Sequence, residues 1–557
     1  MTLAPPRGER ALPVLAGALL ALAFAPAAFL LPSFVALAPL LVFIAERPAG
    51  AAGRWSATRG ALATGAVFYG LRLTWILVAL GDRSALAVPA YLLTVLLLAA
   101  TLGLFGWAVH HVRQHLTIPL PLLAAVLWTG LEWAHAAAGP LAFPWLALGT
   151  SLAPFPRLAG AADLAGVRGL SFWLAAVNGA VAVLVLRARA GRPCRLAPAG
   201  TLALVLVPVV YGVARAASLE LRTAALVAVV QPNIPDDLRR DRTAALDSSL
   251  ATLARLTAAL PGRAIDLVVW PEVALPAALA LDRSLVDSVA ALSRRAAAPV
   301  LLGSYGLEPA GARLVAFNSA FLVGPRGLAG PRYDKRLLVP FIERVPFLPP
   351  APMHRFVGGT LYYGALGAGA AAPVMRTGAG SRFGVLICYE SAFGALARAY
   401  RRDRADFLVN ITNDGWYGRD AWYGRTSALW QHPAHLVLRA IETRTGVARA
   451  ASTGFSLFID PLGRTYGRIP LFREGVAVEP VLTTSAVPLF VRWGDWLASL
   501  AALAAALMVL TAVWRARRST VPHPRRRPPW RHSREVDPGN PRGYILRLAR
   551  NRTRGCA

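Results

Sequence analysis

Cysteine is scarce: Cys194, Cys388 and Cys556 are the only three in 557 residues. Isolated thiols like these offer no disulfide framework and no metal-ligand spacing. Acidic side chains are few as well, 29 against 59 basic ones, for a formal net charge of +30. A basic tail can serve nucleic-acid binding, but that use leaves the many apolar stretches of the chain unexplained. Ionisable residues are rare inside those stretches. Arg72 and Glu132 are the clearest, which is little support for a proton or ion pathway. A cleavable signal peptide is not expected either, because the first apolar stretch is followed by many more and reads as a span.

What the chain has in abundance is apolar sequence. Hydrophobic residues make up 56% and the mean hydropathy is +0.48, too apolar for a soluble protein of this length. With the cationic excess, this describes a polytopic membrane protein with basic cytoplasmic edges. Stretches able to cross a bilayer need about 20 residues. They fall near 11–27, 29–46, 58–81, 87–110, 118–137, 167–187 and 197–217, with an eighth at Trp496–Trp514. Cations occupy alternate loops: Arg7 and Arg10, then Arg47, Arg54 and Arg59, then His110, His111 and Arg113, then Arg187, Arg189, Arg192 and Arg195. The N terminus is therefore expected inside, and the chain emerges outside after its seventh span.

No span is expected between 223 and 485. Strand-like runs such as AALVAVVQ, DLVVWPE, FGVLICYE and FLVNITND alternate there with helix-like runs, which is the pattern of one α/β domain outside the membrane. The expected organisation is a membrane domain over 1–222, the α/β domain over 223–485, a last span within 486–514 and a basic tail over 515–557. The tail carries thirteen arginines against Glu535 and Asp537. It is expected to be cytoplasmic, and disordered until it meets anionic lipid.

That topology sharpens the reading of Cys388. Cys194 and Cys556 fall on the cytoplasmic side, so Cys388 is the one thiol expected on the oxidising side, a liability unless it is used. It ends the apolar run GVLIC, a buried strand that presents its last side chain to a cleft. A cysteine there is either core or a rigidly held nucleophile. Two further strand ends supply what a thiol nucleophile needs. Glu272 follows Trp270-Pro271 and is the candidate general base, although a Pro-Glu pair also suits an exposed turn. Lys335, in YDKRLLVPF, is the candidate cation for an oxyanion, or else a solvated loop charge. Glu343, eight residues on, orients Lys335 or lies at the surface.

Taken together, these segments resemble the carbon–nitrogen hydrolase (nitrilase) superfamily, and within it the apolipoprotein N-acyltransferases, membrane enzymes of bacterial lipoprotein maturation. The resemblance rests on VQPNIP at 230–235, WPE at 270–272, YDKRLLVPF with Glu343, ICYES at 387–391 and NITNDGWYG at 410–418. Gln431-His432, Arg439 with Glu442, FAP at 24–26, FPW at 143–145 and GVRGLSF at 166–172 extend it over nearly the whole chain. Departures are Ile342-Glu343-Arg344, Ser452-Thr453 and Arg239-Arg240, all in substrate-loop regions.

The resemblance implies an αββα sandwich and a catalytic triad of Glu272, Lys335 and Cys388, supported by Glu343, Tyr389 and Glu390. It further implies a phospholipid acyl donor, phosphatidylethanolamine by expectation, a diacylated apolipoprotein acceptor and no metal or organic cofactor. The expected setting is the bacterial inner membrane, with the α/β domain on the periplasmic side, a monomeric chain and no nucleic-acid partner. A membrane-tethered amidase and a non-enzymatic polytopic scaffold are the alternatives. Two loops are candidates for lipid handling. One holds Trp416, Tyr417, Trp422, Tyr423 and Trp430, aromatics suited to headgroup level. The other, 358–372, is a Gly/Ala-rich segment that reads as a gate or as a passive linker.

Overall fold

The apolar stretches fold into helices of unequal length. The computed structural model describes residues 11–81, 85–192, 196–234, 242–260, 264–310, 313–347 and 366–519. Four described helices are long and apolar enough to cross a membrane: Ala87–His115, Ala162–Arg189, Leu196–Ala217 and Trp496–Arg518. Ala51–Arg72 and Trp75–Gly81 form a fifth candidate, bent by 51°. The spans expected at 11–27, 29–46 and 118–137 are shorter helical pieces, Leu12–Ala23, Leu30–Ala45 and Leu120–Ala136. Pro26 lies in the break between the first two, where a proline without an N–H suits a non-helical link, while Pro32 falls in the first turn of the second. After Ala136 the chain turns into two short 3-10 segments, Gly139–Leu141 and Leu148–Leu152, rather than staying helical. Residues 520–557 of the basic tail, Cys194, Cys556, Arg239 and Arg240 lie outside the described residues.

The α/β domain is built on two sheets. Strands β1 (Arg222–Gln231), β2 (Leu267–Val269), β3 (Val300–Ala310), β4 (Arg313–Gly324), β5 (Gly327–Leu328) and β6 (Tyr333–Asp334) belong to one. Strands β7 (Met375–Arg376), β8 (Arg382–Ile387), β9 (Phe407–Thr412), β10 (Gly446–Ala451), β11 (Ser456–Ile459) and β12 (Thr465–Ile469) form the other, and β13 (Gly475–Thr483) returns to the first. The orders are β13-β1-β2-β3-β4-β5 with β6 on β4, and β12-β11-β10-β9-β8-β7. Pairing is parallel in the middle of both sheets, β1-β2-β3 and β8-β9-β10, and antiparallel at their margins.

Alternation along the strands divides the two faces. Val227 and Val229 of β1 join Val385, Ile387 and Val409 in the cluster between the sheets. Ala228 and Val230 point the other way, into a second cluster with Leu253, Val289 and Trp270 under the helices Arg242–Ala258 and Arg283–Ala296. The helices Gly394–Arg402 and Ala428–Thr443 flank the second sheet. This is the expected αββα layering, and both sheets show the near-continuous apolar runs of strands covered on two faces.

The cluster between the sheets is continuous with the membrane helices, taking in Leu170, Trp145, Leu41 and Phe68. A polar seam fixes the junction. The helix over 162–189 breaks at Gly166, whose φ is +71°, and the freed N–H of Val167 donates to Glu442 Oε1 at 2.6 Å. Glu442 is also paired with Arg439 at 2.8 Å. Trp145 Nε1 donates to Gln431 Oε1 at 2.8 Å, and Arg444 Nη2 reaches Asp163 Oδ2 at 3.0 Å. The family-like FPW and GVRGLSF stretches are therefore the membrane half of this seam.

Candidate active site

Cys388 lies one residue beyond β8, opening a short turn over Cys388–Ala392. Its φ is +51°, a left-handed conformation that costs a residue with a Cβ about 1–2 kcal/mol. A buried strand therefore delivers the thiol into a tight, strained elbow. It is the free cysteine among the described residues, and it is buried.

The structure brings the other expected residues to it. Glu272 follows β2, and Lys335 follows β6, held by a backbone hydrogen bond from its N–H to Asn318 O. Both are buried. Lys335 Nζ lies 2.8 Å from Glu343 Oε1 and 3.3 Å from Glu272 Oε1. Asn318, which sequence reasoning missed, bridges the same two carboxylates, donating to Glu272 Oε1 at 2.7 Å and Glu343 Oε1 at 3.2 Å. The backbone N–H of Asn413 donates to Glu272 Oε2, and that of Val339 to Glu343 Oε2, both at 2.8 Å. An asparagine inside a strand carries no spacing signal, so only the fold could reveal Asn318.

The charges in this cleft decide the resting state of the thiol. Burial pushes the Cys388 thiol well up, and the Glu272 carboxylate adds to that; Lys335 and the Thr412 hydroxyl pull the other way without prevailing. Burial works against the Lys335 charge too, but Glu343 and Glu272 outweigh it and hold the ammonium firmly protonated. One cation between two carboxylates leaves the site net negative, so a resting thiolate is disfavoured.

Glu390 and Tyr389 serve different ends. Glu390 is fully buried. Its carboxylate accepts from the Tyr333 hydroxyl at 2.7 Å, from the N–H of Arg336 at 2.8 Å and from that of Ile387 at 2.8 Å. It thereby ties the β8 end to the loop that carries Lys335. Tyr389 turns towards the membrane domain, where its hydroxyl donates to Ala142 O at 2.8 Å and its ring stacks on Phe143 and Trp145. The FPW segment thus packs on the residue next to Cys388.

The five aromatics of the 415–430 region part company. Tyr417 is buried beside the site, and burial together with Cys388 raises its phenol well above the ordinary value. Trp416 and Trp430 are half-buried, whereas Trp422 and Tyr423 are 83% and 81% exposed. Only that last pair forms a free aromatic surface. Of the Gly/Ala-rich segment at 358–372, residues 358–365 lie outside the described residues. The remainder is anchored at the site: Leu366 N–H donates to Glu343 O at 3.0 Å and Gly369 N–H to Lys335 O at 2.9 Å.

Comparison with known proteins decides the family. Residues 226–484 match the carbon-nitrogen hydrolase family, and residues 16–180 match the apolipoprotein N-acyltransferase N-terminal domain. The chain is 33% identical over 527 residues to the apolipoprotein N-acyltransferase of Geobacter metallireducens, covering 93% of this chain and 97% of that one. The chain belongs to the apolipoprotein N-acyltransferases. A second member, from Chlorobaculum tepidum, is 31% identical over 415 residues, covering 70% of this chain and 76% of its own. Membership makes the chain a membrane-associated enzyme of the nitrilase superfamily, an N-acyltransferase whose acceptor is a lipoprotein. That agrees with the fold and the enzyme class read from the motifs, and it leaves the scaffold alternative without support.

Proposed function

We propose that the chain moves a fatty acyl group from a phospholipid, by way of a thioester on Cys388, to the α-amine of a diacylglyceryl-cysteine lipoprotein. The observation that carries this reading is the cluster of buried Cys388, Glu272 and Lys335 with half-buried Glu343, next to Tyr389, whose ring stacks on the FPW segment of the membrane domain.

Because the thiol is held protonated, attack and deprotonation go together. Sγ adds to the ester carbonyl carbon of the donor while its proton passes to Glu272. The tetrahedral oxyanion faces the Lys335 ammonium and backbone N–H groups of the turn. Collapse breaks the ester C–O bond, and Glu272 returns the proton to the departing lysophospholipid oxygen. In the second half-reaction the lipoprotein α-amine attacks the thioester, Glu272 takes the amine proton, and the C–S bond breaks to give an amide and the thiol. Glu343 and Asn318 hold Lys335 and Glu272 in register.

Phosphatidylethanolamine is the expected donor, and the chain acts as a monomer in the bacterial inner membrane with its α/β domain on the periplasmic side. Trp422 and Tyr423, exposed and in contact with each other, suit the headgroup layer. Mass spectrometry of lipoprotein N termini from cells with and without the protein tests the reading. N-acylated termini should be lost without it and restored by the wild-type chain. Unchanged termini would refute it.

A further inference from the structure

Arg72 and Glu132 stand inside the apolar stretches, where a charge is expensive unless something pairs with it. Arg72 is taken up by the backbone, its guanidinium donating to Ala21 O and Ala25 O. Glu132 is only half taken up. It lies on the helix Leu120–Ala136 and is 7% exposed. Its Oε1 accepts from Trp128 Nε1 and from the N–H of Leu148, both at 2.7 Å. Its Oε2 has no hydrogen-bond partner among the described residues. Ser171 lies beside the carboxylate, but its hydroxyl donates to Val167 O at 3.3 Å.

Glu132 borders a cleft in the membrane domain whose lining also includes Tyr69, Trp128, His135, Phe143 and Arg168. Arg168 is buried as well. Its Nη1 pairs with Asp495 Oδ2 at 2.6 Å, which leaves its Nε without a partner among the described residues. Two carboxylates, Glu132 and Asp495, against one guanidinium leave one negative charge in apolar surroundings. An uncompensated charge of that kind is strongly destabilising, and a cation is what the cleft lacks. The same Phe143 ring stacks on Tyr389, the residue after Cys388, with centroids 6.4 Å apart. A phospholipid whose ester reaches Cys388 carries its headgroup only a few bonds from that carbonyl, on the scale of this stack. The lipoprotein amine is a poorer fit, because it must reach the thioester itself.

We propose that Glu132 binds the ammonium of the donor's headgroup, so that the cleft selects an amine-bearing phospholipid over one whose headgroup has no cation. The ammonium donates to Oε2, the one carboxylate oxygen left open, in a charge-assisted hydrogen bond. The inference rests on the reading of Cys388 as the residue that takes an acyl chain from phospholipid, and it adds the group that chooses the lipid.

The test compares two donors with the same acyl chains, phosphatidylethanolamine and phosphatidylglycerol, loading full-length protein in detergent, with the acyl-enzyme followed by intact mass. The wild type should load faster from phosphatidylethanolamine by about tenfold, the scale of a hydrogen bond to a charged group. Glu132→Gln keeps an acceptor for Trp128 and Leu148 and removes the charge. It should lose that preference, slowing with phosphatidylethanolamine and not with phosphatidylglycerol. Discharge of the loaded variant by a diacylated lipopeptide should be unchanged. An unmoved ratio in a variant that melts with the wild type would overturn the proposal. So would equal loading of the wild type from both lipids, whether or not the variant folds. Slowed discharge with an unmoved lipid ratio would assign Glu132 to the acceptor's amine and overturn it too. Failure of the underlying reading would look different: the wild type would load from neither lipid, and the inference would fall with it.

Discussion

At the residue scale, the account turns on which side chain carries the acyl group and which moves the proton. Cys388→Ala should insert and melt like the wild type while losing both half-reactions, read by acyl transfer in detergent; transfer retained in the purified variant would refute the assignment. Glu272→Gln keeps the hydrogen bond from Asn413 N–H but cannot take a proton. Loading of the thioester should therefore fall by about 10²-fold or more, the usual range for general acid–base catalysis, and by more here because burial and Glu272 keep the thiol protonated. Full loading by that variant would show that the base lies elsewhere. The positions of Cys388 and Glu272 were legible in the sequence, because each follows a recognisable apolar run. Asn318 was not, since its bridge between Glu272 and Glu343 depends on contacts between segments far apart in sequence. Tyr417 read as part of a lipid-facing loop, and aromatic density alone cannot tell a ring buried against a thiol from one in solvent.

At the element scale, the seam between the helices over 162–189 and 428–443 holds the cleft over the membrane domain. Glu442 is its polar centre. Burial raises its carboxyl to about 7 from an ordinary 4.5, with Asp495 adding to the rise and Arg439 opposing it. A raised carboxylate pKa means the folded state binds the proton more tightly than the unfolded chain does. This contribution is complete below about 4.5 and is lost as pH rises through about 7. The whole window corresponds to roughly 3 kcal/mol at 1.36 kcal/mol per unit. The melting temperature should fall between pH 5 and pH 8, and Glu442→Gln should flatten that fall. An equal slope in both proteins would remove Glu442 from the seam. The strands at 223–231, 382–387 and 407–412 were plain from composition, as was the start of the sixth expected span at residue 167. The short helices over 12–23, 30–45 and 120–136 were read as whole spans, because hydropathy registers apolar length and is blind to where prolines and 3-10 turns interrupt a helix.

At the scale of the whole molecule, the alternation of cationic loops underlies the proposed direction of the chain, and family membership sets its chemistry. The α/β domain should face away from the cytoplasm. A protease added to intact spheroplasts should cut the domain and spare the basic tail, and the reverse pattern would invert the proposed topology. In the proposed reaction the Cys388 thioester waits for an amine rather than for water, which separates this chain from a hydrolase with the same four residues. Tyr389, stacked on Phe143 and Trp145, sets an aromatic surface beside Cys388, which suits the exclusion of water that this requires. The most direct test follows the intact mass of the full-length protein in detergent after loading with phosphatidylethanolamine alone. A long-lived adduct of one acyl chain on Cys388 should persist, then discharge to N-acylated product when a diacylated lipopeptide with a free α-amine is added. A thioester that disappears equally fast without the lipopeptide would contradict the account and make the chain a hydrolase.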